Sequence, residues 1–108
     1  MAKGLGGMSN LFKQAQEMQA RLAQVQEELA RRTVEASSGG GMVRVTVNGQ
    51  FVCSSVKIDP AVVNPQETEM LEDLILAAVN EAVRRAREMV SEEMSKVTGG
   101  LKIPGLTP

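Results

Sequence analysis

Hydrophobic positions in this chain follow two periods, and the changes between them mark the elements. Leu11, Ala15, Met18, Leu22, Val25 and Leu29 alternate spacings of four and three, which is a heptad seam. Most of the positions between them are Gln, Glu, Lys or Arg, residues that favour helix. The first eight residues, with Gly4, Gly6 and Gly7, read as a loose start, and Ser9 or Asn10 is a suitable cap. A helix is therefore predicted over about 10–32, on the order of 33 Å long at ~1.5 Å per residue. From Thr33 the period becomes two. Thr33–Ala36 alternates, Ser37–Gly41 forms a turn, and Val43, Val45 and Val47 share a face opposite Met42, Arg44 and Thr46. Asn48-Gly49 is a strong hairpin signal because both residues tolerate positive φ. Gln50–Ile58 reads as the return strand, with Val52, Val56 and Ile58 on one face, and Asp59-Pro60 ends it. Helical spacing then returns from Leu71 through Ala78, Ala82 and Ala86 to Val90, so a second helix is predicted over about 66–97, stopped by Gly99-Gly100.

The order is helix, three strands, helix: an α+β chain, α-β-β-β-α, built on an antiparallel meander with strands over about 33–58. Residues 1–98 read as a single domain, and 99–108, with Pro104 and Pro108, as a flexible tail. The apolar stripe of the second helix covers roughly 160° of its circumference, where one packing contact needs only about 100°. A stripe that wide calls for two partners. The second helix, at about 47 Å, also outruns strands of about 20–30 Å. A second copy that covers the surplus apolar surface and a sheet edge resolves both problems, so a two-fold homodimer is expected rather than a monomer with overhanging helix ends.

Composition changes this picture in one respect. Two Phe, no Trp and no Tyr leave the core to aliphatic side chains and seven Met. Charge and chemistry narrow the function. There is no His, which removes the commonest general base and metal ligand. Glu27-Glu28 and Glu92-Glu93 point in different directions on their helices and read as solvated, while Glu69, Glu72 and Asp73 complement a helix N-terminus. Gly39-Gly40-Gly41 lacks the Lys-Ser/Thr and the following helix of a phosphate loop. Cys53, the single cysteine, reads as sharing a strand face with Phe51, Ser55 and Lys57, without an activating base. An enzyme is not indicated, and no catalytic residue, metal site, cofactor or small-molecule substrate is expected. One cysteine, no leader-like apolar run in residues 1–8 and no stretch of membrane-span length make the cytoplasm the expected location.

The formal net charge of −1 gives no bulk attraction to phosphate, so nucleic-acid binding would need local basic strips. Such strips exist. Lys13, Arg21 and Arg31 lie off the seam of the first helix, and Arg32 nearer its margin. Arg84 and Arg87 lie on the polar side of the second, Arg85 flanks its apolar stripe, and Lys96 and Lys102 follow. Interspersed acids, Glu81, Glu88, Glu92 and Glu93, allow the plainer reading of soluble helix faces.

Several runs then carry a family resemblance: Asn10-Leu11-Phe12-Lys13-Gln14-Ala15-Gln16, Val25-Gln26-Glu27-Glu28-Leu29, Gly41 to Gly49, Val56-Lys57-Ile58-Asp59-Pro60, Glu69 to Leu74 and Asn80-Glu81-Ala82. Their order and spacing, over nearly the whole chain, resemble the YbaB/EbfC family of bacterial nucleoid-associated proteins. The resemblance implies an α-β-β-β-α protomer that dimerises through its sheet with helices projecting like tweezer arms. It also implies double-stranded DNA as partner, bound with low sequence specificity, and a place on the nucleoid in its organisation or in gene regulation. The family's DNA-contacting elements are its two long helices, so the DNA-binding candidates are Lys13, Arg21, Arg31, Arg84, Arg85, Arg87 and Lys96. The alternative is an interaction adaptor that uses the heptad helix to pair with another chain and does not bind DNA itself.

Overall fold

Alternating β-branched residues make Val43–Asn48 the centre of the structure, because all its inward side chains are valines. The computed structural model describes residues 2–99, with side chains from Gly7 onward. Its elements are α1 (Ala2–Arg31), β1 (Thr33–Ser38), β2 (Val43–Asn48), β3 (Cys53–Ile58) and α2 (Thr68–Val97), with single 3₁₀ turns at Gly39–Gly41 and Pro60–Val62. The sheet is antiparallel in the order β1-β2-β3, so the architecture is the expected α-β-β-β-α meander. Beyond Gly99, the expected tail lies outside the described residues.

One face of the sheet receives α2. Val43, Val45 and Val47 are buried with Ala36 of β1 against Ala78, Ala82 and Ala86 of α2. Three alanines at a spacing of four put only methyl groups between the helix backbone and the sheet, so α2 sits close. The docking is off centre: the helix packs on β1 and β2 rather than on β3. Two polar contacts hold this position. Ser38 Oγ donates to the Leu74 carbonyl at 2.5 Å, and Arg85 Nη1 donates to the Glu35 carbonyl at 2.7 Å.

α1 begins at Ala2, eight residues before the expected start at about 10. Once a helix is nucleated, each further residue adds a hydrogen bond at little cost, and Ala2, Lys3, Leu5 and Met8 offset the three glycines among them. The helix packs antiparallel to the C-terminal half of α2. Arg32 pairs with Glu93 at 2.7 Å, while Arg21, Gln24 and Val25 share a groove with Lys96 and Val97. The heptad seam shows where this support ends. Leu29 is 3% exposed, Val25 and Leu22 are half-buried, Met18 is 39% exposed and Leu11 67%. The N-terminal half of α1 is an arm that runs past the end of α2.

The β2–β3 connection differs from the expected two-residue turn. Gly49 does not have positive φ; Phe51 does, at 62°. The connection runs from Gly49 to Val52, organised by Asn48, whose Oδ1 accepts from the Gln50 and Val52 amides at 2.8 and 3.0 Å. Gly49 is needed for a different reason. Its amide donates to the Leu29 carbonyl at 2.8 Å, and Asn48 Nδ2 donates to the Ala30 carbonyl at 3.2 Å, so the hairpin end caps α1. A Cβ at Gly49 would lie 2.5 Å from the Leu29 carbonyl oxygen. A register shift after Thr46 also changes the face assignment of β3. Thr46 pairs with Ser55, but Val47 pairs with Cys53, leaving Ser54 as the extra residue of a bulge. Cys53 therefore belongs with Val47, Val56 and Ile58, and not with Lys57 as strict alternation predicted.

Two substitutions test these contacts. Gly49→Ala forces the hairpin off α1, and Ala82→Leu lifts α2 off the valines; each is expected to cost about 1–3 kcal/mol. The measurement is a urea midpoint lowered at unchanged slope, and a midpoint within error of wild type would contradict the packing described.

Candidate nucleic-acid interface

Because α2 stops short of β3, the core continues into an open apolar surface. Val56 and Ile58 lie opposite Val45 and Val43 in the register, so they share the buried face, yet they are 48% and 36% exposed. Phe51 and Val52, in the hairpin connection, are also exposed. The outer edge of β3 has no strand partner among the described residues, so apolar side chains and unpaired backbone groups occur together.

The basic residues fall into two sets once their partners are known. On α2, Ala78, Ala82 and Ala86 face inward, so Arg84 and Arg87 point outward, roughly 140–200° away around the helix at ~100° per residue. Arg84 Nη2 pairs with Glu81 at 2.6 Å and its Nη1 with Glu88. Arg85 Nε pairs with the same Glu81 at 3.2 Å, besides its bond to the Glu35 carbonyl. Glu93 gathers Lys96 at 3.0 Å and Arg32 at 2.7 Å. Arg84, Arg85 and Lys96 are thus already matched by carboxylates. Lys13, Arg21, Arg31 and Arg87 are exposed and form no ion pair among the described residues. Lys13 and Arg31 stand on one line of α1, roughly five turns and about 27 Å apart, with Arg21 about 80° round the helix. Two further exposed cations, Arg44 and Lys57, lie outside the set drawn from the sequence; they sit on the polar face of the sheet, directly opposite each other.

The carboxylates respond to these pairings. Hydrogen bonding from Arg84 holds the Glu81 carboxyl down at about 2, against the opposing effect of desolvation and with a further contribution from Arg85. Lys96 and then Arg32 hold Glu93 below its ordinary value in the same way. Among the described residues no three His, Cys, Asp or Glu converge as a metal-ligand group. No helix among them is long and apolar enough to cross a membrane.

Residues 4–101 match the YbaB/EbfC DNA-binding family. A nucleoid-associated protein of Moorella thermoacetica is 57% identical over 94% of this chain and 98% of its own length. A nucleoid-associated protein of Acetivibrio thermocellus is 58% identical over 95% of this chain and 93% of its own. In fold, the crystal structure of an uncharacterized Helicobacter pylori protein superposes with a TM-score of 0.75 at 23% identity, covering 84% of this chain and 96% of that one.

The Glu81 pairing has a pH signature. Its folded-state value is depressed to about 2 from an ordinary 4.5, so the stability it contributes is present above pH 4.5 and lost as the pH falls towards 2. Glu81→Gln is expected to shrink the loss of thermal stability between those pH values relative to wild type. Parallel melting profiles for the two proteins across that window would contradict the pairing.

Proposed function

This chain belongs to the YbaB/EbfC DNA-binding family, and from that premise we propose that it binds duplex DNA as a homodimer with low sequence specificity, on the nucleoid of the bacterial cytoplasm, shaping the DNA it coats or regulating its genes. The observation that carries the reading is the set of unpaired cations on the outer surfaces of the two long helices. Lys13, Arg21, Arg31 and Arg87 are the primary phosphate contacts. Arg84, Arg85 and Lys96 join only where phosphate displaces their carboxylates. Side chains of this kind on a helix surface fix a protein on the backbone without reading base edges, which accounts for weak selectivity. The net charge of −1 does not decide the matter: among the described residues three carboxylates, Glu81, Glu88 and Glu93, pair with Arg84, Arg85, Arg32 and Lys96, and binding in this reading rests on the local position of Lys13, Arg21, Arg31 and Arg87 rather than on the sum.

The homodimer in this reading forms around β3. Two copies that bury Phe51, Val52, Val56 and Ile58 against each other complete a core that one chain leaves open, and an isologous two-fold contact is the simplest way to do so. Each dimer then carries two α1 arms, doubling the basic strips. A second reading has support in the open seam of α1, where Leu11, Phe12 and Met18 are exposed: an adaptor in which the arm pairs with a different protein chain. Stable partners recovered from DNase-treated lysate, with no duplex shift at low salt, would favour that adaptor.

Mobility shifts on a randomised duplex over a salt series test the main reading. With four to six phosphate contacts per dimer, log affinity should fall against log salt with a slope of about −4 to −5, and a flat response would contradict it. Lys13→Glu with Arg87→Glu should weaken binding roughly tenfold or more to all sequences alike. A changed sequence preference at unchanged affinity would make these residues base readers. Glu81→Gln with Glu88→Gln, which releases Arg84, should strengthen binding and steepen the slope.

A further inference from the structure

We propose that Arg44 and Lys57 form a second phosphate-contact surface, on the side of the molecule opposite the outer face of α2, through which the protein holds a second duplex segment. The inference rests on the DNA-binding reading above and extends it from one duplex to two.

Register places the two side chains together. Arg44 of β2 and Lys57 of β3 are directly opposed partners, which sets their Cβ atoms about 4.5–5.5 Å apart on the solvent face of the sheet. Like charges in that relation repel, and a bound anion relieves the repulsion. No carboxylate does so here: neither residue forms an ion pair among the described residues. Between them lies a shallow depression of about 310 Å³, lined also by Gly41, Met42, Ile58 and Asp59. Arg44 Nε donates to the Gly41 carbonyl at 3.4 Å, a long contact that holds the guanidinium over the glycine turn and leaves its outer N–H groups free. Gly41, with φ at 92°, gives that end a wall of bare backbone. Depth, openness and two adjacent cations suit a backbone phosphate better than an enclosed small molecule.

The acids on this face are accounted for. Glu35 shares it, opposite Thr46, at the far side of β2 from Lys57. Asp59 stands at the rim, with Oδ1 accepting from the Ala61 amide at 2.8 Å as the cap of the 3₁₀ turn. Pairing of two copies around β3 leaves the site open, because Lys57 points away from the face of Val56 and Ile58. The cations of α2 cannot share this duplex: the valines of β2 face α2, so Arg44 faces away from it, while Arg84 and Arg87 point out from the far side of α2.

The test measures capture of a labelled duplex by the full chain pre-bound to a bead-immobilised duplex, beside a single-duplex mobility shift. Wild type should capture. Arg44→Gln with Lys57→Thr should reduce capture at least fivefold while single-duplex affinity stays within about twofold, and its melting temperature should be unchanged or raised as the repulsion is removed. Asp59→Asn, which keeps the capping oxygen, should increase capture. Undiminished capture by the double variant overturns the proposal, as does equal loss of capture and single-duplex affinity, which would merge the pair with the helix strips. A wild type that shifts duplex but captures none overturns this inference alone. A wild type that shifts no duplex overturns the DNA-binding reading and this proposal with it.

Discussion

The contact on which the structure depends is the seating of Ala78, Ala82 and Ala86 on Val43, Val45 and Val47. Its geometry follows from side-chain size. Methyl groups on the helix let its backbone approach the sheet, and branched side chains on the central strand fill the narrow space between. The helix so seated covers two strands out of three. Everything functional follows from that offset: β3 keeps an apolar face exposed, the arginines of α2 point outward, and α1, packed against the far end of α2, has to run past it into solvent.

Electrostatics is layered on this frame in a way that composition conceals. A chain with balanced charge need not have a neutral surface, since neutrality can be reached locally or only in the sum. On α2 it is reached locally, with Glu81 shared between two arginines and Glu88 added to one of them. Such exposed pairs contribute little to folding, but they decide which cations are available to a phosphate. On α1 and on the polar face of the sheet, Lys13, Arg21, Arg31, Arg44 and Lys57 form no ion pair among the described residues, although Glu17, Glu27, Glu28 and Asp59 lie near them. Cations that form no ion pair among the described residues are therefore spread over α1, α2 and the sheet, a pattern that suits many weak phosphate contacts more than one tight site.

Much of this could be read from the chain. The change from a seven-residue seam to alternation and back located all five elements; the width of the apolar stripe on the second helix called for a second partner, and the second surface that α2 meets is α1 of the same chain, while the open apolar side chains lie on β3. What escaped the sequence was each feature that depends on two distant segments. Gly49 reads as a turn residue, but its constraint is the carbonyl of Leu29, visible only when α1 lies against the hairpin. The bulge at Ser54 moves Cys53 to the opposite face from Lys57, and nothing in Gln50–Ile58 announces where alternation slips. Glu81, Arg85, Arg84 and Glu88 stand at helical pairing distance in the sequence, so their pairing was legible, whereas the match of Arg32 to Glu93 was not. Arg44 and Lys57 become a pair only through the strand register.

The central claim is that the offset of α2 leaves a chain incomplete without a copy of itself at β3. Sedimentation equilibrium of the free protein at low micromolar concentration tests it most directly. The account predicts a mass of twice 11.6 kDa, falling to the single-chain value in a folded Val56→Lys, Ile58→Lys variant. A wild type that sediments at 11.6 kDa, or a variant that stays at twice that mass, would contradict it.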